Sequence, residues 1–198
     1  SPYARMQVHD ALGGSRIGFD AADYGWPCLG HIVENRLVAG VLWRAVEREP
    51  GVRLLLGDAL RGFDLDTAGV RLRLESGGTL QAKLLVGADG VHSRVREQLL
   101  IGVEGAAYGQ SGLVAHIELE QPQRELAWQR FLPSGPLAFL PLADGRASIV
   151  WTLPSDRASA LAAAPEAEFE AQLQRASAGA FGRLRLSSER GAFPLRLQ

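Results

Sequence analysis

Apolar and polar residues alternate along the chain with two different periods, and each change of period marks a new element. Apolar residues recur at helical spacing from Asn35 to about Glu49, where Pro50-Gly51 follows. This pattern predicts an amphipathic helix that stops before the proline. Residues 5–9 and 15–20 predict two short strands, and Gly13-Gly14 between them is typical of a hairpin turn.

The next part of the chain has the spacing of strands. Val52–Leu56 is almost continuously apolar, which predicts a buried strand. Arg61–Asp66, Val70–Glu75 and Thr79–Ala82 follow it, and the second of these alternates strictly between apolar and charged residues. Such alternation indicates a strand with one face in water. We therefore expect a β-meander attached to an α/β layer.

From residue 112 to residue 153 the residue pattern changes to that of short strands joined by turns rich in proline and glycine. This part predicts one antiparallel sheet, with strands at Leu113–Glu120, Ala127–Leu132, Leu137–Leu140 and Ala147–Leu153. A helical region then begins at Ser155 or Asp156 and includes Pro165–Ala176. The last strand-like stretch is Ala192–Leu197.

Composition limits the classes of function. The chain has 198 residues, 46% of them hydrophobic, and a formal net charge of −1. It can bury a core, and it has no basic field to hold nucleic acid. Cys28 is the single cysteine, so we expect no internal disulfide and a reducing cytoplasm. No apolar run reaches the roughly 20 residues of a membrane span, which leaves peripheral membrane contact as the alternative.

The most informative stretch runs from Leu84 to Arg96, LLVGADGVHSRVR. Four apolar residues predict a buried strand, and Gly87 and Gly90 permit a tight turn in which backbone approaches a ligand. Ser93 or Asp89 can cap the helix that follows. The four histidines are scattered without metal-ligand spacing, and no dyad of acid and base is apparent.

This stretch resembles the Asp-Gly fingerprint of the FAD-dependent aromatic hydroxylases, the family of p-hydroxybenzoate hydroxylase. Three further stretches resemble its ubiquinone-biosynthesis branch: LGHIVENRL at 29–37, AWQRFLPSGPLAFLPL at 127–142, and Phe193-Pro194-Leu195. They occur in the order that the family has and cover most of the chain. The resemblance implies an α+β or α/β fold, a fragment of a Rossmann-like FAD domain over 1–106 with an antiparallel-sheet substrate domain over 107–198.

The same resemblance implies an enzyme, a flavin monooxygenase that hydroxylates a polyprenylated phenol or benzoquinol ring in ubiquinone biosynthesis. In that family NAD(P)H reduces the FAD, oxygen adds at the flavin C4a carbon, and the resulting hydroperoxide delivers oxygen to the ring. A prenylated aromatic substrate is the implied partner. The implied location is the cytoplasm, with association at a bacterial inner membrane or a quinone-synthesis assembly left open.

The resemblance also assigns roles to single residues. Arg36 is implied to reach the ribityl and phosphate region of the flavin, against the alternative of a solvated or Glu34-paired arginine. Asp89 is implied to bind a cofactor hydroxyl, against the alternative of a helix cap. The backbone at Leu60 is implied to lie near the adenine, and Gly90 is implied to form the turn at the cofactor. Three aromatic residues are implied to form the walls of a substrate pocket, against the alternative of sheet core: Trp128, Phe131 and Phe139.

Two family motifs are missing from the sequence. No GxGxxG occurs, and no second Gly-Asp motif follows Phe193-Pro194-Leu195; Gly57-Asp58-Ala59 lies in the wrong order and predicts an ordinary turn. We therefore expect a middle fragment that is inactive alone and holds no FAD. The alternatives are a non-catalytic module that binds a lipid or a partner of a quinone-synthesis assembly, and another flavin ring hydroxylase or halogenase.

Overall fold

The computed structural model describes residues 1–197, without the side chains of Ala106 and Leu197. The chain divides into two compact units, Ser1–Leu37 with Gly105–Leu197, and Val38–Glu104. The predicted division into domains over 1–106 and 107–198 stays a prediction, and residues 1–37 lie in the same compact unit as the large sheet. The reason is that the N-terminal hairpin pairs with a strand of that sheet.

The first unit is built on an eight-stranded sheet. Its strands are β2 (Arg5–Asp10), β3 (Arg16–Asp20), β8 (Ala106–Leu119), β9 (Leu126–Leu132), β10 (Gly135–Pro141), β11 (Ala147–Pro154), β12 (Leu184–Leu186) and β13 (Gly191–Leu197). The order is β12-β8-β11-β10-β9-β2-β3, and β13 also pairs with β8. The pairing of β2 with β9 is parallel and the others are antiparallel. The predicted antiparallel sheet and N-terminal hairpin are thus confirmed.

Smaller elements complete this unit. A two-stranded pair joins β1 (Pro2–Tyr3) and β4 (Gly30–His31), and a 3-10 helix covers Ala21–Tyr24. Helices α3 (Ser155–Ala163) and α4 (Glu166–Ser177) lie where the sequence predicts a helical region. Acidic residues in the first turn of α4 and Arg175 in its last turn suit the helix dipole.

The core of this unit lies between the sheet and these two helices. Along β11 burial alternates residue by residue, so that Ile149 and Trp151 are buried while Val150 between them is partly exposed. Phe169 and Leu173 of α4 are fully buried in the same cluster. One face of the sheet is therefore packed under helices, and each strand presents its alternate residues on the opposite face.

The second unit contains a small meander, a short helix and, from Val38 onward, most of a longer helix that begins in the first unit. Helix α1 spans Asn35–Glu47, and β5 (Leu60–Asp66), β6 (Gly69–Leu74) and β7 (Thr79–Ala82) form a three-stranded antiparallel sheet. The short helix α2 covers Arg94–Gln98. Gly69 has φ +140°, and a Cβ there would lie 2.3 Å from the carbonyl oxygen of Ala82, so this turn requires glycine.

Two predicted strands of this unit are wrong. Val52–Leu56 and the apolar run at 84–87 have no strand assignment, and Leu56 and Leu84 are 64% and 76% exposed. No strand within residues 1–197 pairs with either run, and an extended segment becomes a strand only through its neighbours' hydrogen bonds. The apolar stripe of α1 is likewise exposed, with Leu37 and Leu42 more than 60% accessible.

Arg190 joins the end of helix α3 to helix α4, and we predict that its guanidinium stabilises the first unit. Its two terminal nitrogens donate to the carbonyl oxygens of Leu161 (3.2 Å) and Ala164 (2.6 Å), and the group lies 5.1 Å from the centre of the Phe169 ring. Arg190→Lys removes the paired donors and the planar stacking. We expect a loss of about 1–3 kcal/mol in the free energy of unfolding, measured by urea denaturation.

The matched control is Arg183→Lys, which keeps charge at an exposed arginine whose side chain makes no hydrogen bond among the described residues. An equal effect of both variants on the midpoint of unfolding would contradict the role assigned to Arg190.

Candidate cofactor and substrate sites

The Asp-Gly turn is held by the carboxylate of Asp89. This carboxylate accepts hydrogen bonds from the Ser93 hydroxyl and from the backbone N–H groups of Arg94 (2.7 Å) and Val95 (3.4 Å). The Ser93 hydroxyl oxygen in turn accepts the N–H of Arg96 at 3.1 Å. Both predicted caps of the helix are thus present, and they act in series on the first turn of α2.

The hydrogen bond from Ser93 lowers the pKa of Asp89 below its ordinary value, and the backbone donors act in the same direction. Asp89 is therefore a carboxylate at neutral pH, fixed by its own helix. One cap does not occupy every lone pair, because each carboxylate oxygen accepts two hydrogen bonds. The role of Asp89 towards a cofactor hydroxyl stays a prediction.

The backbone beside Asp89 is open. Gly90 has φ +79°, a left-handed conformation that favours glycine, and no atom lies within 4 Å of the position of a Cβ there. Gly87 is close to the helix instead, since a Cβ on it would lie 3.0 Å from the Val95 Cβ. The turn therefore packs on its helix at Gly87 and leaves the backbone around Gly90 accessible.

Arg94 connects the turn to the start of the meander, a role that the sequence interpretation missed. One nitrogen of its guanidinium donates to the carbonyl oxygen of Leu60 at 2.9 Å and pairs with Glu75 at 3.0 Å. Its backbone N–H binds Asp89. Leu60 and Asp89, two predicted cofactor contacts, are thus joined through one residue. The available signal was a cation at a helix start, where the dipole disfavours it.

Gln98 adds a second connection between α2 and the meander. Its amide oxygen accepts the backbone N–H of Phe63 at 3.1 Å, and its amide nitrogen donates to the carbonyl oxygen of the same residue. The side chain thereby pairs with Phe63 as a neighbouring strand would. No local pattern in the sequence indicated this contact.

Gly57-Asp58-Ala59 is an ordinary turn, as predicted. The carboxylate of Asp58 accepts a hydrogen bond from the Ser76 hydroxyl at 2.6 Å and further hydrogen bonds from the backbone N–H groups of Ala59 and Ser76. The bond from Ser76 lowers the pKa of Asp58. This aspartate is engaged between the entry to β5 and the turn after β6, with Gly57 at φ +73°.

Arg36 is exposed at the second position of α1. Within residues 1–197 its side chain forms no ion pair, and the alternative of pairing with Glu34 is not observed. A cation in the first turn opposes the helix dipole, so the helix itself does not account for it. Its role towards a flavin stays a prediction.

The three predicted pocket aromatics do not share a surface, which corrects their assignment to one pocket. Trp128 and Phe139 are 5% and 0% exposed, with ring centres 5.6 Å apart, and both pack against Phe181. They face the helices and form core. Phe131 is 48% exposed on the other face, because it lies an odd number of residues from Trp128 on the same strand.

The face opposite the helices, here called the open face, is mainly apolar. Strand register places one row of residues across six neighbouring strands. That row consists of Val114, Val150, Ala138, Gln129, Val8 and Ile17. Phe131 lies in the adjacent row and pairs with Pro136. An apolar surface with one central amide suits a flat hydrophobic ligand. Of the three aromatics predicted from the sequence, only Phe131 lies on this face.

No group of three or more His, Cys, Asp or Glu that could hold a metal ion occurs in the described part of the chain.

His9 packs on Trp128 with ring centres 5.3 Å apart. Burial, together with the positive charges of Arg16 and Arg130, lowers the pKa of His9. No helix among residues 1–197 is long and apolar enough to cross a membrane.

The fold and the turn define a class of protein. A family model described as "FAD binding domain" matches residues 11–191, so the chain belongs to this family of FAD-binding domains.

Two curated relatives are similar to most of this chain. The chain is 38% identical to ubiquinone hydroxylase UbiL of Rhodospirillum rubrum over 170 residues, 86% of this chain and 40% of the relative. It is 38% identical to the 3-demethoxyubiquinol 3-hydroxylase of Escherichia coli over 150 residues, 76% of this chain and 38% of the relative. The chain thus spans about two fifths of the length of these curated relatives.

Solved structures agree on the fold. The crystal structure of PqsL, a probable FAD-dependent monooxygenase of Pseudomonas aeruginosa, superposes with a TM-score of 0.75 at 23% identity, covering 98% of this chain and 56% of that one. HpxO of Klebsiella pneumoniae, complexed with FAD and uric acid, gives 0.68 at 18% identity, covering 98% and 52%. At these identities the likeness concerns the fold alone.

We predict that the Asp89 cap makes the stability of the second unit depend on pH. Because its folded-state pKa is lowered, the stabilisation is present above the ordinary value of 3.8 and is lost as pH falls through the folded-state value. Asp89→Asn should therefore be less stable than the unmodified chain at neutral pH, and the difference should shrink below pH 3.8. Urea unfolding followed at several pH values measures both quantities.

Asp23→Asn is the control, since the Asp23 side chain makes no hydrogen bond among the described residues. A difference for Asp89→Asn that stays constant across the whole pH range would mean that the ionised cap does not stabilise the unit.

Proposed function

We propose that this chain supplies the cofactor-turn and substrate-sheet portions of an FAD-dependent monooxygenase that hydroxylates a polyprenylated phenol or benzoquinol ring in ubiquinone biosynthesis. The observation that carries the proposal is the apolar open face of the large sheet, within a chain that belongs to the FAD-binding domains. The names of its relatives, ubiquinone hydroxylase and 3-demethoxyubiquinol 3-hydroxylase, support the substrate class.

The residues of the turn fit a flavin nucleotide. The backbone around Gly90 is uncovered, and Asp89 is an ionised acceptor beside it. Asp89 would accept a hydrogen bond from a cofactor hydroxyl, and Arg36 would donate to a phosphate or ribityl oxygen. FAD, when bound, supplies the electron transfer and oxygen activation; NADH or NADPH is the proposed reductant.

The open face would bind the aromatic substrate. Val150, Ala138 and Phe131 would contact the ring or its tail and exclude water from it, and the Gln129 amide would orient a ring hydroxyl or carbonyl. Exclusion of water protects the oxygen-transfer step against loss of oxidant as peroxide. This role needs no titratable side chain on the sheet, and the row of six residues defined above for the open face contains none.

The decisive test uses the product of the complete gene with FAD, NAD(P)H, oxygen and a prenylated phenol. Mass spectrometry under ¹⁸O₂ should find one labelled oxygen in the ring product. Binding of the phenol without flavin-dependent product would favour the non-catalytic binding module instead.

Arg36 and Asp89 should each contribute to flavin affinity in that protein. Arg36→Ala and Asp89→Ala remove charge-assisted hydrogen bonds, so we expect flavin titration to show a loss of roughly ten- to a hundredfold for each. Arg44→Ala on the same helix and Asp23→Ala, at an exposed aspartate whose side chain makes no hydrogen bond among the described residues, are the matched controls. Unchanged affinity in Arg36→Ala and Asp89→Ala would leave both residues with structural roles only.

Substrate affinity should rise with the length of the prenyl tail until the open face is covered. Each Å² of buried apolar surface contributes about 25 cal/mol, so a series of phenols with longer tails should bind progressively more tightly. Phe131→Ala should flatten this dependence. Ile149→Val, at the position next to Val150 but in the core, should lower stability and leave the dependence intact. Flat affinity across the series would exclude the open face as the tail site.

A further inference from the structure

We propose a second ligand site, for a small carboxylate with an apolar body, on the helix side of the large sheet. It lies between the turn that joins β9 to β10 and the helices α3 and α4. It is on the opposite side of the sheet from the open face, so it does not rest on the proposed monooxygenase function. We call it the helix-side cleft.

The cleft is a cavity of about 360 Å³. This volume is at the small end of the range of about 300–1,000 Å³ that is typical of ligand pockets. It therefore suits a molecule of the size of a single ring with one polar group. Its principal lining residues are Leu132, Ser134, Trp151, Arg157, Gln172 and Arg175.

The charge of the cleft is positive. Arg157 and Arg175 come from different helices, and neither side chain forms an ion pair or hydrogen bond among the described residues. No aspartate or glutamate lines the cavity. Arg175 in the last turn of α4 suits the helix dipole, but Arg157 in the first turn of α3 opposes it. An anion between the two guanidinium groups would compensate both charges.

Trp151 forms the sheet side of the cleft. It is 2% exposed, and its indole N–H, which has no acceptor among residues 1–197, is enclosed by the protein. A ligand in the cleft would therefore lie beside Trp151 without reaching this N–H. Both guanidinium groups are donors only, so the ligand must be an acceptor.

The apolar part of the lining distinguishes a carboxylate with a ring from a bare inorganic anion. Leu132 and Pro133 present hydrocarbon surface beside the arginines. Phosphate would leave this surface in water, whereas an aromatic or alicyclic carboxylate would bury it. A planar carboxylate also matches the geometry of a guanidinium group.

Benzoate is the probe, titrated by calorimetry into this chain, with benzamide as its neutral counterpart. We expect saturable benzoate binding, with benzamide binding at least about tenfold more weakly. Arg157→Gln and Arg175→Gln should each weaken benzoate by about fivefold or more, while Arg183→Gln, which removes the same charge elsewhere, should have less than about a twofold effect. The indole N–H resonance of Trp151, assigned with Trp151→Phe, should shift on addition of benzoate.

Four results would overturn the proposal. One is the absence of saturable benzoate binding at concentrations up to about 10 mM. Another is equal weakening by Arg183→Gln, which would indicate a net-charge effect. The third is displacement of benzoate by inorganic phosphate at equal concentration, because the cleft would then hold anions without regard to their apolar part. A shift of the Trp26 or Trp43 resonance in place of that of Trp151 would likewise locate the binding elsewhere.

Discussion

Packing of the large sheet against helices α3 and α4 fixes the face that each strand residue of this sheet occupies. Because successive residues of a strand point to opposite faces, burial of Trp151 and Phe139 under the helices places Val150 and Ala138 on the other side. A shift of register by one residue would exchange the two faces. The apolar row proposed to contact substrate is thus a consequence of how the core is packed, and core variants would disturb both together.

The second unit depends on hydrogen bonds from polar side chains to the backbone of the meander. Gln98 pairs with both backbone groups of Phe63, and Arg94 joins Leu60 and Glu75 to the helix that follows the Asp-Gly turn. These polar contacts position the turn relative to the meander with little buried apolar surface. In contrast, the exposed apolar residues at 52–56, at 84–86 and along α1 contribute almost no packing among the described residues. The conformation of the turn is therefore set by hydrogen bonds more than by a core.

Local pattern predicted the elements well and their partners poorly. Alternation and turn residues were sufficient for the N-terminal hairpin, the meander and strands β9, β10 and β11, since these pair with neighbours close in sequence. Alternation also predicted β8, although its partners β11, β12 and β13 lie further along the chain. The parallel pairing of β2 with β9 joins residues more than a hundred positions apart, and no local signal encodes it. The same limit explains the wrong prediction of a strand at Val52–Leu56. Its apolar composition favours burial, but composition does not specify which strand would pair with it. At the Asp-Gly turn, glycine and capping patterns predicted the helix caps formed by Asp89 and Ser93 and the tight turn at Gly90. The face occupied by each aromatic could not be decided, because both faces of the sheet carry apolar residues.

Asp89 shows why a cap and a cofactor contact can be one residue. Helix capping holds the carboxylate ionised and fixes its direction, and these are also the properties that a hydroxyl acceptor requires. Ser93 and two backbone N–H groups use part of its lone pairs, while the adjacent Gly90 leaves its surroundings open. A ligand hydroxyl would therefore meet an acceptor that needs little reorganisation on binding. The two roles do not compete, since the energy that orders the turn is supplied by the helix before any ligand arrives.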